Sequence, residues 1–187
     1  MDTSPRRTNR SRMAIAVLLC GVVTLAISPQ RSDAAAKSEY QVKADFLLNF
    51  TRFVEWPASA FADENAPFSI CVLGEDPFGE TLDRVVAGES AAGRKLEVRR
   101  IQEPPAAKTC QILFVARSDE DVADILKGIG PGVLTVGENE GFLRSGGIIE
   151  FVREGRHVRF DISNRAAAKA SLTLSARLLS VARSVQK

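Results

Sequence analysis

The chain holds one histidine, three cysteines and one acidic turn bracketed by glycines, and any chemistry would have to start there. His157 stands alone. A His-rich metal site needs several ligands at set spacings, and a nucleophile–His–acid triad needs a partner serine; no G-x-S-x-G elbow is present. His157 therefore reads as a solvated side chain on an edge strand rather than as a ligand or base. The turn Leu73-Gly74-Glu75-Asp76-Pro77-Phe78-Gly79 has the G-x-x-x-x-G spacing of a phosphate loop. Glu80-Thr81 follows it in place of Lys-Ser/Thr, and two carboxylates in the turn would repel a phosphate, so it reads as a structural turn. Gly128-Ile129-Gly130-Pro131-Gly132 reads as a helix-to-strand connection. Glu150, Glu154 and Asp161 could pair as glycosidase carboxylates, but alternation along a half-exposed strand explains them without chemistry. The expectation is a protein that is not an enzyme, with no catalytic residue, metal ligand or cofactor.

The stretch Asn49–Pro57 (NFTRFVEWP) concentrates two phenylalanines and the single tryptophan in nine residues. It could be an aromatic ligand platform or the end of a buried helix. Val42, Phe46, Leu47, Phe50, Phe53 and Val54 recur with helical period, which puts them on one apolar face. Ser38 with Gln41 forms a capping box at the start, and Pro57 ends the helix because the residue before a proline avoids the α region. Phe53 and Trp56 then read as aromatic anchors at the helix exit.

The elements that would position these residues follow in order. Residues 68–73, 111–116 and 133–136 are short apolar runs, as expected of strands buried on both faces; residues 96–101 are a more exposed strand. A helix with Pro77 at its start follows the acidic turn, and Ser118 caps a second helix with acidic residues in its first turn. Residues 147–162 alternate on either side of Glu154-Gly155, a β-hairpin pattern. Residues 164–185 read as helical, with a break at 171–174. The fold class expected is α/β: a three-layer α/β/α sandwich with a mostly parallel sheet and an antiparallel edge hairpin.

Residues 1–36 differ from the rest. Four arginines precede the uncharged run Met13–Ile27, and small residues at 32–36 fit a cleavage site, so this segment reads as a secretory signal peptide. The alternative is an uncleaved membrane anchor, for which the run is short. The whole chain carries +2; residues 1–36 hold five basic and two acidic residues, leaving 20 basic and 21 acidic after them, a net −1. The basic balance belongs to the leader, which removes the case for nucleic acid as a partner. Cys20 departs with the leader. Cys71 and Cys110 remain, either as one disulfide, as an exported chain with two cysteines suggests, or as two buried thiols. Residues 37–187 are expected to form one domain.

Taken together, EYQVKADFLLNFTRFVEWP, ICVLGEDPFG, LFVARS, VLTVGE, GFLRSGGIIEFVREGRHVRFDI and SARLLSVAR resemble the YfiR-like periplasmic proteins, from about Glu39 to Arg183. The resemblance implies a periplasmic α/β domain that forms a homodimer and represses an inner-membrane diguanylate cyclase, or serves a histidine kinase, through that partner's periplasmic sensor domain. It also implies an outer-membrane lipoprotein that sequesters the repressor, and hence control of cyclic-di-GMP and biofilm matrix. Cys71 and Cys110 match a family disulfide pair; a second pair found near the hairpin in some members is missing.

Two functional readings lead, with an unrecognised hydrolase as a third. In the first, the protein inhibits its partner by contact, through the hairpin and the segment before it: Phe142, Ile149, Phe151, Arg153 and His157. An edge strand also invites pairing, with a second copy or with a partner. The competing placement for the apolar members of that set is the core. In the second, the protein is a small-ligand-binding module serving a sensor kinase, with a pocket lined by Phe53, Trp56 and strand ends.

Overall fold

Apolar runs too short for helices and too apolar for a half-exposed sheet must be covered on both sides, and the computed structural model shows how. Beyond Met1, it describes residues 30–116 and 121–187, with side chains from Glu39 on. The leader reading of residues 1–36, apart from the backbone at 30–36, and the Ser118 cap lie outside the described residues.

The main sheet contains β2 (Phe68–Leu73), β3 (Ser90–Ala91), β4 (Arg94–Ile101), β5 (Ile112–Val115), β6 (Leu134–Gly137), β7 (Ile149–Glu154), β8 (His157–Ser163) and β10 (Ser184–Gln186). Its order is β10-β8-β7-β6-β5-β2-β4-β3. The ladders β4–β2, β2–β5, β5–β6 and β6–β7 are parallel, and β7–β8 is an antiparallel hairpin. A separate two-stranded ladder joins β1 (Val54–Glu55) to β9 (Thr173–Leu174).

Strand alternation divides the interior in two. Phe68, Ile70, Val72, Ile112 and Phe114 face a core closed by Leu47 and Phe50 of α1 (Gln30–Phe53) and by Leu82 and Val86 of α2 (Glu80–Val86). Cys71, Leu73, Leu113 and Val115 face a second core with Ala107 of the 3-10 helix Pro104–Thr109 and Val122 and Ile125 of α3 (Val122–Lys127). This is the three-layer α/β/α arrangement expected from the buried runs.

Several boundaries differ from expectation. The first helix does not start at Ser38; it runs unbroken from Gln30. The second starts at Glu80 rather than at Pro77, because Gly74 and Gly79 hold positive φ and Asp76 accepts the Phe78 amide at 2.8 Å, which keeps the intervening residues in a turn. The third is capped by Asp121, whose side chain accepts the Ala123 amide. The break at 171–174 is present, between α4 (Asn164–Lys169) and α5 (Ala176–Val181), and it contains β9.

The hairpin is not at the edge. Residues 184–186 leave the helical path and add β10 parallel to β8, pairing Ser184 with Asp161 and Gln186 with Ser163. Arg183 explains the capture. Its amide donates to the Phe160 carbonyl at 2.8 Å, and its guanidinium grips both oxygens of Asp161 and reaches Glu154. Among the described residues, no helix is long and apolar enough to cross a membrane.

Candidate functional site

The site begins with a lysine on the wrong side of a helix. Lys43 shares the buried face of α1 with Ala44, Leu47 and Phe50, and its side chain is 5% exposed. A buried ammonium needs partners. Lys43 has two: it donates to Glu39 one turn earlier at 2.6 Å, and to Glu138, the residue that follows β6. Glu138 is as deeply buried as the lysine, at 6% side-chain exposure, and also accepts the Tyr40 hydroxyl at 3.0 Å. Arg153 of β7 closes the set on Glu39 at 3.3 Å. The hairpin, the helix and the end of β6 are thus tied into one charged network.

Its position in the sheet is informative. The chain leaves β2 toward β4 on one side and returns to β5 on the other, so β2 and β5 border a topological switch point. In open α/β sheets, ligands bind outside the carboxyl ends of the strands at such a point. A cavity of about 480 Å³ lies there, within the range of small-molecule sites. Glu75, Asp76 and Pro77 after β2, Ala116 after β5 and Glu138 after β6 form one side; Tyr40, Lys43, Val152 and Arg153 form the other. The acidic turn that resembles a phosphate loop does border a ligand-sized cavity, but it contributes carboxylates to it. Asp76 is itself held by Arg100 at 2.9 Å, and Arg100 also grips Asp83 and the Gly79 carbonyl. The hydrogen bonds from the Arg100 guanidinium hold the Asp83 carboxyl below its ordinary range.

Beside this cavity, the hairpin tip and α1 form a shallow depression with Val42, Glu154, Arg156, His157 and Val158 on its surface. Val42 is exposed there although the helical pattern assigns it to the buried face. His157 and Arg153 are exposed.

The other residues singled out in the sequence lie elsewhere. Phe142, Ile149 and Phe151 are core residues, at 0%, 0% and 4% exposure, so their reading as a docking patch is corrected to packing. Phe142 is wedged between two glycines: a Cβ on Gly137 or Gly147 would stand 2.4 or 2.1 Å from its ring. Glu150 holds the turn around it by accepting the Gly141 and Leu143 amides at 3.2 and 3.1 Å, which is a structural role for that carboxylate. Phe151 packs against Phe50 and Phe114.

Phe53 and Trp56 do not share a pocket. Trp56 donates through Nε1 to the Gln111 carbonyl at 3.0 Å and meets Phe68 edge-on at 4.8 Å. Gln111, buried at 2% exposure, in turn accepts the Ser69 amide and donates to the Ala60 carbonyl. Trp56 is therefore an anchor for the helix exit. Phe53 lines a separate 270 Å³ cavity with Phe46, Phe160 and Arg177. Cys71 and Cys110 form a disulfide with Cα atoms 5.9 Å apart, both residues being buried.

Lys43, Glu39, Tyr40 and Glu138 were missed in the sequence. Lys43 carried a signal: it sits four before Leu47 and seven before Phe50, a charge in register with a buried face. Glu138, 95 residues away, carried none.

The α/β/α domain thus carries a buried charge network at the switch point and an exposed hairpin tip, and among the described residues no group of three or more His, Cys, Asp or Glu is placed to hold a metal ion. The chain belongs to the family described as YfiR/HmsC-like, whose model matches residues 40–183. That family comprises periplasmic regulators of cyclic-di-GMP signalling rather than enzymes, acting with inner-membrane signalling partners, and the disulfide fits an oxidising compartment. No curated protein matches the chain. Two solved structures are similar over part of it. One is a conserved domain protein from Vibrio cholerae O1 biovar El Tor, 12% identical, with TM-score 0.48, over 63% of this chain and 54% of that one. The other is an ABC domain in complex with L-Trp from Streptococcus pneumoniae, 13% identical, with TM-score 0.41, over 63% and 55%. The chain thus spans about half the length of each.

Proposed function

We propose that the protein is exported by cleavage of residues 1–36 and that residues 37–187 inhibit the periplasmic domain of an inner-membrane signalling protein, a diguanylate cyclase, by direct contact. The contact surface is the hairpin tip with the adjoining face of α1: Arg153, His157, Arg156 and Val42. The observation that carries this reading is the exposure of Val42 next to the cationic hairpin tip, on a domain whose family acts through protein partners. Removal of residues 1–36 leaves Glu39 and Lys43 in place, so the network behind the surface survives export. A contact of ordinary size can shift a two-state receptor from 99:1 to 1:99 if it favours one state by about 5.5 kcal/mol. A homodimer and a sequestering outer-membrane lipoprotein belong to the same reading.

The test is capture from solubilised membranes. The wild-type protein is expected to recover a sensor protein with a periplasmic domain, and deletion of its gene to raise cyclic-di-GMP. Reversal of the tip with Arg153→Glu and His157→Glu is expected to abolish capture with the fold intact. Unchanged cyclic-di-GMP on deletion, with no sensor captured, would defeat the cyclase reading.

A second reading is favoured by the switch-point cavity: a small-ligand-binding module serving a sensor kinase. Trp56 lies outside that cavity, so its fluorescence is a poor reporter; stabilisation against heat by a metabolite, lost in Tyr40→Phe, is the appropriate measurement.

A further inference from the structure

We propose that the protein carries a second site, for a compact organic anion: a carboxylate or phosphate monoester on an apolar body. The site is a groove of about 500 Å³ bounded by the end of α3, the turn at 143–148 and α4. It shares no lining residue with the switch-point cavity.

Charge is the first argument. Arg144, Arg165 and Lys169 all line the groove, and no acidic residue does. None of the three makes a hydrogen bond or ion pair with any described residue. Elsewhere in this protein Lys43, Arg52, Arg100, Lys127 and Arg183 each sit on a carboxylate. Three uncompensated cations around one concavity concentrate a positive potential there, on a domain whose net charge after residue 36 is −1.

Hydroxyl chemistry is the second, independent argument. Thr135 and Ser163 line the same groove and are 5% exposed each. Thr135 Oγ1 accepts the Ile148 amide at 3.1 Å, and Ser163 Oγ accepts the Ala166 amide at 3.2 Å. Each hydroxyl accepts one amide and keeps its O–H to donate. Two hydroxyl donors on the groove wall can serve acceptor oxygens of a ligand. A carboxylate or phosphate supplies them and pairs with the guanidinium groups at the same time.

The floor sets the rest of the ligand. Val133, Leu143 and Ile148 line the same groove and are buried, and Ile129, which also lines it, is half-buried. An apolar body is rewarded there by burial, which a bare inorganic ion cannot exploit.

The experiment is an NMR titration of the ¹⁵N-labelled protein with phenyl phosphate. Saturable shifts are expected at residues 129–135, 143–148 and 163–170. Inorganic phosphate is expected to bind about tenfold more weakly, and benzylamine not at all. Arg165→Glu with Lys169→Glu should weaken phenyl phosphate by at least about tenfold, while Arg165→Lys with Arg144→Lys retains it. Arg144→Glu alone, on the turn rather than on α4, tests the charge if the double variant fails to fold. The proposal is overturned if phenyl phosphate gives no saturable shifts, if inorganic phosphate binds as well, or if the folded charge-reversed variants bind unchanged.

Discussion

Lys43 shows how much one side chain can decide. Its ammonium holds Glu138 in a place where that carboxylate has almost no water. Lys43→Met removes the cation and leaves Glu138, among the described residues, with only the Tyr40 hydroxyl. Leaving a buried charge unpaired costs about 3–5 kcal/mol. Urea denaturation is expected to show a loss of that size, and Lys43→Met combined with Glu138→Leu should recover most of it, since an apolar pair of similar volume is often as stable as a buried ion pair. A single loss below about 1 kcal/mol would mean that the pair is solvated, as surface pairs are. The sequence made one half of this pair legible. A lysine in register with Leu47 and Phe50 is anomalous on its face, but nothing local points to its partner, because the contact exists only once β6 lies beside the helix.

Among the elements, the strands were easiest to read. Six consecutive buried residues in β2 and four in β5 admit few alternatives. β10 was not legible: Ser184–Gln186 follows an Ala- and Leu-rich stretch whose composition favours helix, and all three of its residues are exposed. What makes it a strand is tertiary, namely the Arg183–Asp161 clamp and the free edge of β8. The clamp has a pH signature. Hydrogen bonds from Arg183 hold the Asp161 carboxyl below its ordinary value of 3.8. A carboxyl depressed in the folded state contributes stability that is complete above the ordinary value and is lost as pH falls through the folded one. Arg183→Ala is therefore expected to melt lower than the wild type at neutral pH, with a gap that narrows below about pH 4. A gap independent of pH would assign the loss to packing alone.

For the whole molecule, the two cores share one sheet, and the charged features lie around it in separate places: the switch-point network at one end of the parallel strands, the hairpin tip beside it, and the basic groove under α4. The three-layer architecture was legible because buried strands alternate with helices. The hairpin's burial was not, because β10 covers the edge that alternation alone leaves open. The docking surface we propose shifts accordingly, away from the buried Phe142, Ile149 and Phe151 toward the cationic tip.

The Cys71–Cys110 bridge, finally, makes part of the chain a closed ring. It joins the central strand β2 to the connector before β5 across 39 positions, and the ring contains α2, β3 and β4, the whole wing of the sheet beyond β2. A protease cut at the exposed Ala87-Gly88 turn would open the ring without dividing the protein. Such a nicked chain is expected to run as one species on a non-reducing gel and as two fragments after reduction. If it ran as two without reductant, the bridge would be absent.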